Sequence, residues 1–259
     1  MPAKVSDHIR TIAANNPDWQ ITVWTPASSA ALIESKYPEL ATLYHGLPFP
    51  IQRSDMSRYA ILHAYGGLYM DVDYNITVPL SSITAYLRET FPFKSAFVNG
   101  TPNGVIVKRA SNSFMVAPVV GHAFWKHVLM LCNEGSGVSS HRRVMTGTGP
   151  QIIDLALRTY DGADVGVLPM SLFNPCDLCE NGGTFKCRRG GAGARPRCAE
   201  GCYAYHMNDG SWNSVTTKAF NTLFCKRLII MFIVGGALLL IIVALSVYIG
   251  LSRKRGCML

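Results

Sequence analysis

Apolar and polar positions recur with helical and strand-like periods in turn along most of the chain, and this pattern predicts an α/β fold. A turn at 16–18 separates a first helix from the strand formers of residues 21–24. A helical run over 28–44 follows, and Pro38 interrupts it. We therefore expect the first 45 residues to form a helix, a short strand and a broken helix.

The clearest local pattern is a helix that leads through a glycine turn into a strand. Residues 54–65 have apolar side chains at helical spacing, Ser54 is a suitable N-cap, and Gly66 and Gly67 end the helix. Residues 68–72 are then expected to form a buried strand with an acidic tip. Helix, turn and strand in this order are typical of α/β domains.

The chain between residue 73 and the C-terminal segment contains shorter strand and helix patterns. The pattern predicts two strands and two helices, at 96–98, 104–107, 121–132 and 149–160. Residues 174–203 are rich in glycine and cysteine and are expected to form a loop insertion. We assign the whole body to one domain over residues 1–221.

The C-terminal segment contains a long run of residues without a charge. Residues 228–251 contain no charged side chain, and a helix of this length spans about 36 Å, against roughly 30 Å for the hydrocarbon core of a bilayer. This predicts a single transmembrane helix over 228–251, followed by a short basic tail over 252–259.

Charge and targeting signals bear on the partners and the compartment. The net charge is +8, but positive residues cluster at 226–227 and 253–255, so the charge indicates membrane anchoring and no nucleic-acid surface. The larger cluster follows the apolar segment, which favours a cytoplasmic C-terminus and a luminal domain in the Golgi or secretory pathway. Residues 1–25 lack the apolar region of a signal peptide, so a tail-inserted protein with a cytosolic domain stays open.

Two carboxylates end the predicted strand of residues 68–72. Asp71 and Asp73 are two positions apart, so on an extended segment they share a face. Open α/β sheets bind ligands at the carboxyl ends of their strands. Paired carboxylates suit a hard divalent ion such as Mn²⁺ or Mg²⁺, which keeps positions open for phosphate oxygens. The pair is therefore a candidate metal site.

Asp55-x-x-Arg58-Tyr59, the turn Gly66-Gly67 and the strand into Asp71-Val72-Asp73 closely resemble the sugar-binding region of glycosyltransferase family 32. The family includes inositol-phosphoceramide mannosyltransferases and fungal α-mannosyltransferases. The resemblance extends over roughly residues 15–215 through Asn16-Pro17-Asp18-Trp19, Val23-Trp24-Thr25, Asn112-Ser113-Phe114-Met115, Gly121-His122-Ala123-Phe124-Trp125, Thr148-Gly149-Pro150, His206 and Ser211-Trp212.

The resemblance implies a GT-A-like, Rossmann-type nucleotide-sugar domain that transfers a sugar with retention of anomeric configuration. It implies metal binding by Asp71, Asp73 and His206. The donor-binding residues that it implies are Trp24 at the base, Asp55, Arg58, Tyr59, Gly67 and Asp71 at the sugar and diphosphate, and Ser211 and Trp212 on a mobile loop. The catalytic residues that it implies are Asp71, Asp73, Arg58, Asn112 and Trp212. Structural roles in packing, capping or ion pairing stay open for Trp24, Arg58, Asn112, His206 and Trp212.

The resemblance favours transfer of a hexose, with mannose from GDP-mannose preferred, to a lipid acceptor such as inositol-phosphoceramide. A glycan or protein glycosyltransferase that uses a UDP-hexose is the first alternative. The second is an inactive, membrane-anchored metal-binding module. Residues 1–14 do not contain the family's first strand, and this favours the inactive module. A start site assigned too late in the sequence would explain the missing strand as well.

The cysteines and the glycosylation sequons carry expectations about the environment. A set of four, Cys176, Cys179, Cys198 and Cys202, has spacing compatible with structural Zn²⁺, whereas a luminal domain favours disulfides, and free thiols are the third reading. Sequons occur at Asn75 and Asn99. Asn75 follows the carboxylate pair closely, so Asn99 is the expected glycan carrier if the domain is luminal.

Overall fold

The computed structural model describes residues 3–101, 109–175, 201–206, 215 and 234–246. The helices of the body are α1 (Ala3–Asn15), α2 (Pro26–Lys36), α3 (Pro38–Gly46), α4 (Pro50–Tyr65), α5 (Leu80–Thr90), α6 (Ala123–Leu131), α7 (Ser140–Gly147), α8 (Pro150–Thr159) and α9 (Met170–Phe173). The strands are β1 (Gly67–Met70), β2 (Tyr74–Ile76), β3 (Ala96–Thr101), β4 (Arg109–Ala117), β5 (Val165–Leu168) and β6 (Ala204–His206).

The described strands form a four-stranded sheet and a separate two-stranded ribbon. The order in the sheet is β1-β4-β3-β5, and β2 pairs with β6 in the ribbon. Within the described residues only β3 and β5 pair in parallel, and the other pairs are antiparallel. The expected α/β class is confirmed, but the sheet seen here is mixed and not the parallel sheet of a Rossmann-type domain.

The sheet separates two hydrophobic cores because successive side chains of a strand point to opposite faces. On β3, Ala96 and Val98 join the core that α2, α3, α4, α6 and α8 build. Phe97 points the other way, into the core that β2, α5, α9 and β6 share with β4. Helix α4 is buried on several sides, and this central position fixes the polar residues that it carries.

Several predicted elements are confirmed and others are not. The break at Pro38, the strand at 96–98 and the helices at 121–132 and 149–160 are present as α2/α3, β3, α6 and α8. The predicted Ser54 cap is wrong, because Pro50 begins α4 one turn earlier with Phe49 as N-cap. The predicted strand at 21–24 is also wrong, since no described strand pairs with it. The strand predicted at 104–107 lies outside the described residues.

The turn from α4 into β1 requires glycine at Gly66. Its φ is +67°, and a Cβ there would lie 2.9 Å from the carbonyl oxygen of Ala117. We expect Gly66→Ala to lower the free energy of unfolding by about 2–3 kcal/mol through backbone strain and this contact. Chemical denaturation measures it. Gly67→Ala is the matched control, because φ of Gly67 is also positive (+86°) but an added Cβ would have no atom within 4 Å. An equal loss of stability in both variants would show that the contact with Ala117 contributes nothing.

The C-terminal segment belongs to a second unit. Of the described residues, 3–101, 109–175 and 201–206 fall in one compact unit, and 215 and 234–246 fall in the other. Residues 234–246 are helical, with exposed apolar side chains such as Leu239 and Ile242. In the described part of the chain, no helix is both long enough and apolar enough to cross a membrane. The predicted span over 228–251 extends beyond the described residues 234–246 at both ends. The predicted basic tail over 252–259 lies outside the described residues.

Candidate functional site

The end of β1 and the β2–β6 ribbon together bring three potential metal ligands into one place. The amide of Asp71 donates to the carbonyl of Ser113 (2.9 Å), which continues the pairing of β1 with β4. A turn then leads through Asp73 into β2, where Tyr74 is paired with His206 across the ribbon. As a result, ligand atoms of Asp71, Asp73 and His206 lie within 4.8 Å of one another.

Contacts within this triad orient His206 towards the two carboxylates. Its Nε2 lies 2.9 Å from Oδ1 of Asp73 and 3.9 Å from Oδ2 of Asp71. The imidazole stacks on the ring of Tyr74, with centroids 4.8 Å apart and an interplanar angle of 14°. His206 and Asp73 are therefore already neighbours, and the ribbon register is what brings them together.

Asp71 is held by groups that bond only one of its oxygens. Nη1 of Arg58 and the hydroxyl of Tyr69 both donate to Oδ1 at 2.9 Å. The Arg58 guanidinium also lies 5.0 Å from the Tyr69 ring centroid. Oδ2 is on the side of His206. This arrangement presents Oδ2 to a ligand and identifies Tyr69, which the sequence analysis did not single out, as a positioning residue for Asp71.

We expect Tyr69→Phe to weaken Mn²⁺ binding about tenfold while leaving the fold intact, because losing one partner of a metal-binding carboxylate typically costs 10–100-fold in affinity. Titration of Mn²⁺ against the whole chain measures the effect. Tyr65→Phe is the control, since Tyr65 is exposed and packs on Trp24. Unchanged Mn²⁺ affinity in Tyr69→Phe would remove the positioning role.

A buried polar network supports the triad from behind. Arg58 donates from Nη2 to Asp55 (3.0 Å) and from Nη1 to the carbonyl of Asn112 (2.8 Å). The Asn112 side chain donates to Oδ1 of Asp55 and to the Tyr59 hydroxyl, both at 2.9 Å. Tyr59 in turn donates to the carbonyl of Thr148 at 2.7 Å. The network ties α4, β4 and the turn between α7 and α8 together beneath Asp71.

Burial and the charge of the ion-pair partner shift the pKa values of Asp55 and Arg58 in opposite directions. Burial raises the pKa of Asp55 to about 7, although the charge of Arg58 and the hydrogen bonds from Asn112 and Thr148 favour the ionised carboxylate. Burial by itself would lower the pKa of Arg58, but the charges of Asp71 and Asp55 outweigh it and raise the pKa. Arg58 therefore stays protonated, and its charge is paired with the carboxylates of Asp55 and Asp71.

The structure brings together some of the expected site residues and separates others. Asp55, Arg58, Asn112, Asp71, Asp73 and His206 form the connected set just described. Tyr59 has no exposed surface, so a direct donor contact from it would require the network to open. Gly67 is exposed, and Trp24 packs on Tyr65 before the start of β1, at the other end of this strand from Asp71. Ser211 and Trp212 lie outside the described residues.

The triad fits a divalent cation by its chemistry. Two carboxylates and an imidazole are ligands that Mn²⁺ accepts, and Mg²⁺ also binds carboxylates. Atoms that each bind one ion at about 2.1 Å lie at most about 4.2 Å apart. The ligand atoms of the triad lie within 4.8 Å of one another, so a shift of less than about 1 Å brings them to that geometry. The Arg58 charge is directed to Oδ1 of Asp71 and not to Oδ2. The donor set and its orientation agree with the metal site expected from the sequence.

Two expectations about the environment are corrected. Cys202 forms a disulfide, so the four-cysteine zinc set that includes it is wrong; Cys176, Cys179 and Cys198 lie outside the described residues. Asn99 is fully buried, and its amide donates to the Tyr74 hydroxyl at 2.6 Å, so it cannot carry a glycan in the folded chain. The sequon indicated an accessible asparagine, but strand β3 places it between the sheet and Tyr74.

Comparisons with known proteins bear directly on this site. Residues 2–90 match the family described as glycosyltransferase sugar-binding region containing DXD motif. The chain is 35% identical over 107 residues to inositol phosphoceramide mannosyltransferase 3 of Schizosaccharomyces pombe, across 40% of this chain and 28% of that protein. It is 27% identical over 148 residues to a mannosyl phosphorylinositol ceramide synthase of Saccharomyces cerevisiae, across 56% of this chain and 36% of that protein.

The matches confirm the resemblance predicted from the sequence, and they cover only part of each relative. The alignments span 28% and 36% of the two relatives, so the chain corresponds to about a third of their length. Among solved structures, the PaToxG glycosyltransferase superposes with a TM-score of 0.41 and 16% identity over 62% of this chain and 65% of that chain. The matched residues 2–90 include Asp55, Arg58, Asp71 and Asp73.

Proposed function

We propose that this chain is a metal-dependent glycosyltransferase that transfers a hexose from a nucleotide sugar, with mannose from GDP-mannose favoured, to a lipid acceptor such as inositol-phosphoceramide. The observation that carries the proposal is the convergence of Asp71, Asp73 and His206 at the end of β1, inside a region that matches a sugar-binding family. The preference for mannose and a lipid acceptor rests on the names of the relatives.

The chemistry of sugar transfer needs a site that stabilises a departing diphosphate. The bond between the anomeric carbon and the phosphate oxygen breaks, and the nucleoside diphosphate leaves with the electron pair. The acceptor oxygen bonds to the anomeric carbon, and its proton passes to an oxygen of the departing diphosphate. A divalent cation held by Asp71, Asp73 and His206 would neutralise the charge that develops on the diphosphate.

The protein groups act by position and charge. Arg58 fixes the orientation of Asp71 and keeps a buried positive charge beneath the site. Asn112 belongs to the same network, and we propose that it lies on the side of the reacting sugar. Ser211 and Trp212 are proposed to cover the diphosphate and exclude water, as the resemblance implies. We also propose a GT-A-like domain over residues 1–221 and retention of anomeric configuration.

A donor panel tests the proposal. The whole chain is incubated with GDP-mannose, UDP-glucose and UDP-galactose in excess Mn²⁺, with inositol-phosphoceramide in detergent micelles, and products are identified by mass spectrometry. The proposal expects a mannosylated lipid from GDP-mannose. A product only from UDP-sugars would move the protein to the UDP-dependent alternative. Mn²⁺ binding without turnover of any donor would support the inactive module instead.

Membrane anchoring and a luminal Golgi location are part of the proposal, supported by the uncharged residues 228–251 and the flanking positive residues. We expect the whole chain to stay in the membrane pellet after carbonate extraction and the body to resist protease added outside sealed vesicles. Release by carbonate would refute the anchor. Retention combined with digestion would place the domain in the cytosol.

A further inference from the structure

A polar cleft of about 290 Å³ lies between α1 and the segment that begins with β2. His8, Thr11 and Asn15 line it from α1, and Asn75 and Thr77 line it from the opposite side. Positions 8, 11 and 15 share one face of a helix, and positions 75 and 77 share one face of an extended strand. Two elements thus turn their polar sides towards the same space.

Three side chains that line the cleft donate to backbone carbonyls, and this leaves their lone pairs as acceptors. Nε2 of His8 donates to the carbonyl of Tyr74 (2.6 Å), so Nδ1 is the ring nitrogen that remains for a ligand. The Thr11 hydroxyl donates to the carbonyl of Asp7 (2.9 Å), and the Thr77 hydroxyl donates to the carbonyl of Cys202. The lone pairs of these groups remain for a ligand that donates hydrogen bonds.

The lining also sets the charge and size of such a ligand. Among the described residues that line the cleft there is no Asp, Glu, Lys or Arg, so neither an anion nor a cation finds a counter-charge. The volume of about 290 Å³ is just below the roughly 300–1,000 Å³ range of ligand pockets, which suits one ring and not a whole nucleotide sugar. A neutral polyol ring, with hydroxyl donors around an apolar frame, fits both properties.

The cleft shares its strand with the candidate metal site. Asn75 follows Asp73 by two residues, so their Cα atoms are at most about 7 Å apart. The amide of Asn75 also donates to the Tyr205 hydroxyl, and Tyr205 directly precedes His206 on β6. The same ribbon therefore forms one wall of the cleft and carries His206, and Asp73 directly precedes its first strand.

We infer that this cleft is the acceptor subsite and takes a neutral polyol ring, such as a sugar or a cyclitol, either free or as the headgroup of a lipid. The inference rests on the proposed function and adds the place and chemistry of the acceptor. A ring held there would present a hydroxyl to the sugar of a donor bound at Asp71, Asp73 and His206. The metal triad itself does not depend on the cleft.

The test fills the cleft with a large side chain. Asn15→Trp places an indole on the lining face of α1, and Ala14→Trp places one on the adjacent, exposed position outside the lining. Saturation-transfer NMR with myo-inositol and methyl α-mannoside measures binding to the whole chain. We expect binding in the wild type and in Ala14→Trp, and its loss in Asn15→Trp. Equal binding in both variants, or none in the wild type, would overturn the inference.

Further arms of the experiment separate the inference from the proposed function and identify the source of the ring. Donor hydrolysis in Mn²⁺ is followed in the same samples, and we expect it to be unchanged in both variants. If hydrolysis is missing throughout while polyol binding follows the pattern above, the function fails and the subsite stands. Retention on phosphatidylinositol vesicles, competed by myo-inositol, supports a lipid headgroup; binding of the free ring alone supports a soluble acceptor.

Discussion

Asp73→Asn is expected to lower turnover about 1,000-fold, because a bound cation contributes several kcal/mol to the transition state and each 1.4 kcal/mol corresponds to a tenfold change in rate. The change keeps the shape of the side chain and removes the charge that faces His206 at 2.9 Å. Asp73 is half-buried at a strand end and belongs to neither core, so the melting temperature should change little.

Turnover and melting temperature are measured on the same preparation of Asp73→Asn. Asp161→Asn is the matched control, because Asp161 is exposed and outside the site. Mn²⁺ affinity provides the third readout and should fall together with turnover. Near-normal turnover in Asp73→Asn would contradict the metal assignment. A large fall in melting temperature would mean that the carboxylate acts in folding and not in metal binding.

Arg58→Met is expected to reduce the free energy of unfolding by about 3–5 kcal/mol, because removal of one partner leaves buried charge uncompensated. Arg58 and Asp55 are 3% and 4% exposed, and Arg58 bonds both Asp55 and Asp71. Methionine retains much of the length of the side chain but none of its charge. Activity should also be lost, since Asp71 loses the group that orients Oδ1.

The loss in Arg58→Met should be smaller at pH 5 than at pH 8. Burial raises the pKa of Asp55 to about 7 in the wild type, and removal of the cation raises it further. A raised carboxyl pKa means that the folded state holds its proton more tightly, so stability is retained at low pH and falls as pH rises. Urea unfolding at both pH values measures this. Arg88→Met is the exposed control, and equal losses in the two variants would contradict the buried network.

The sequence predicted the parts of the site that follow from local order along the chain. The helix, the Gly66-Gly67 turn and the carboxylates at the end of the strand lie within one short stretch, so their spacing made the pair a candidate metal site, and the family resemblance of the stretch strengthened that prediction. His206 is far from Asp73 in sequence and meets it only through the β2–β6 register. The resemblance suggested this ligand, and spacing could not have done so.

Other elements were missed because tertiary contacts override local pattern. Strand β4 contains Ser111, Asn112 and Ser113, which do not look like a strand core in sequence. In the structure Asn112 bonds Asp55 and Tyr59 of the buried network, and the hydroxyls of Ser111 and Ser113 bond each other. The opposite error occurred at 21–24, where strand-forming residues have no described strand as partner.

The central claim is that Asp71, Asp73 and His206 hold a divalent cation that sugar transfer requires. The most direct test follows release of GDP from GDP-mannose by the whole chain after removal of metal with EDTA and after addition of Mn²⁺. The account predicts no release above background in EDTA, recovery when Mn²⁺ is added, and no recovery in Asp73→Asn. Full release in EDTA, or equal recovery in Asp73→Asn, would contradict it.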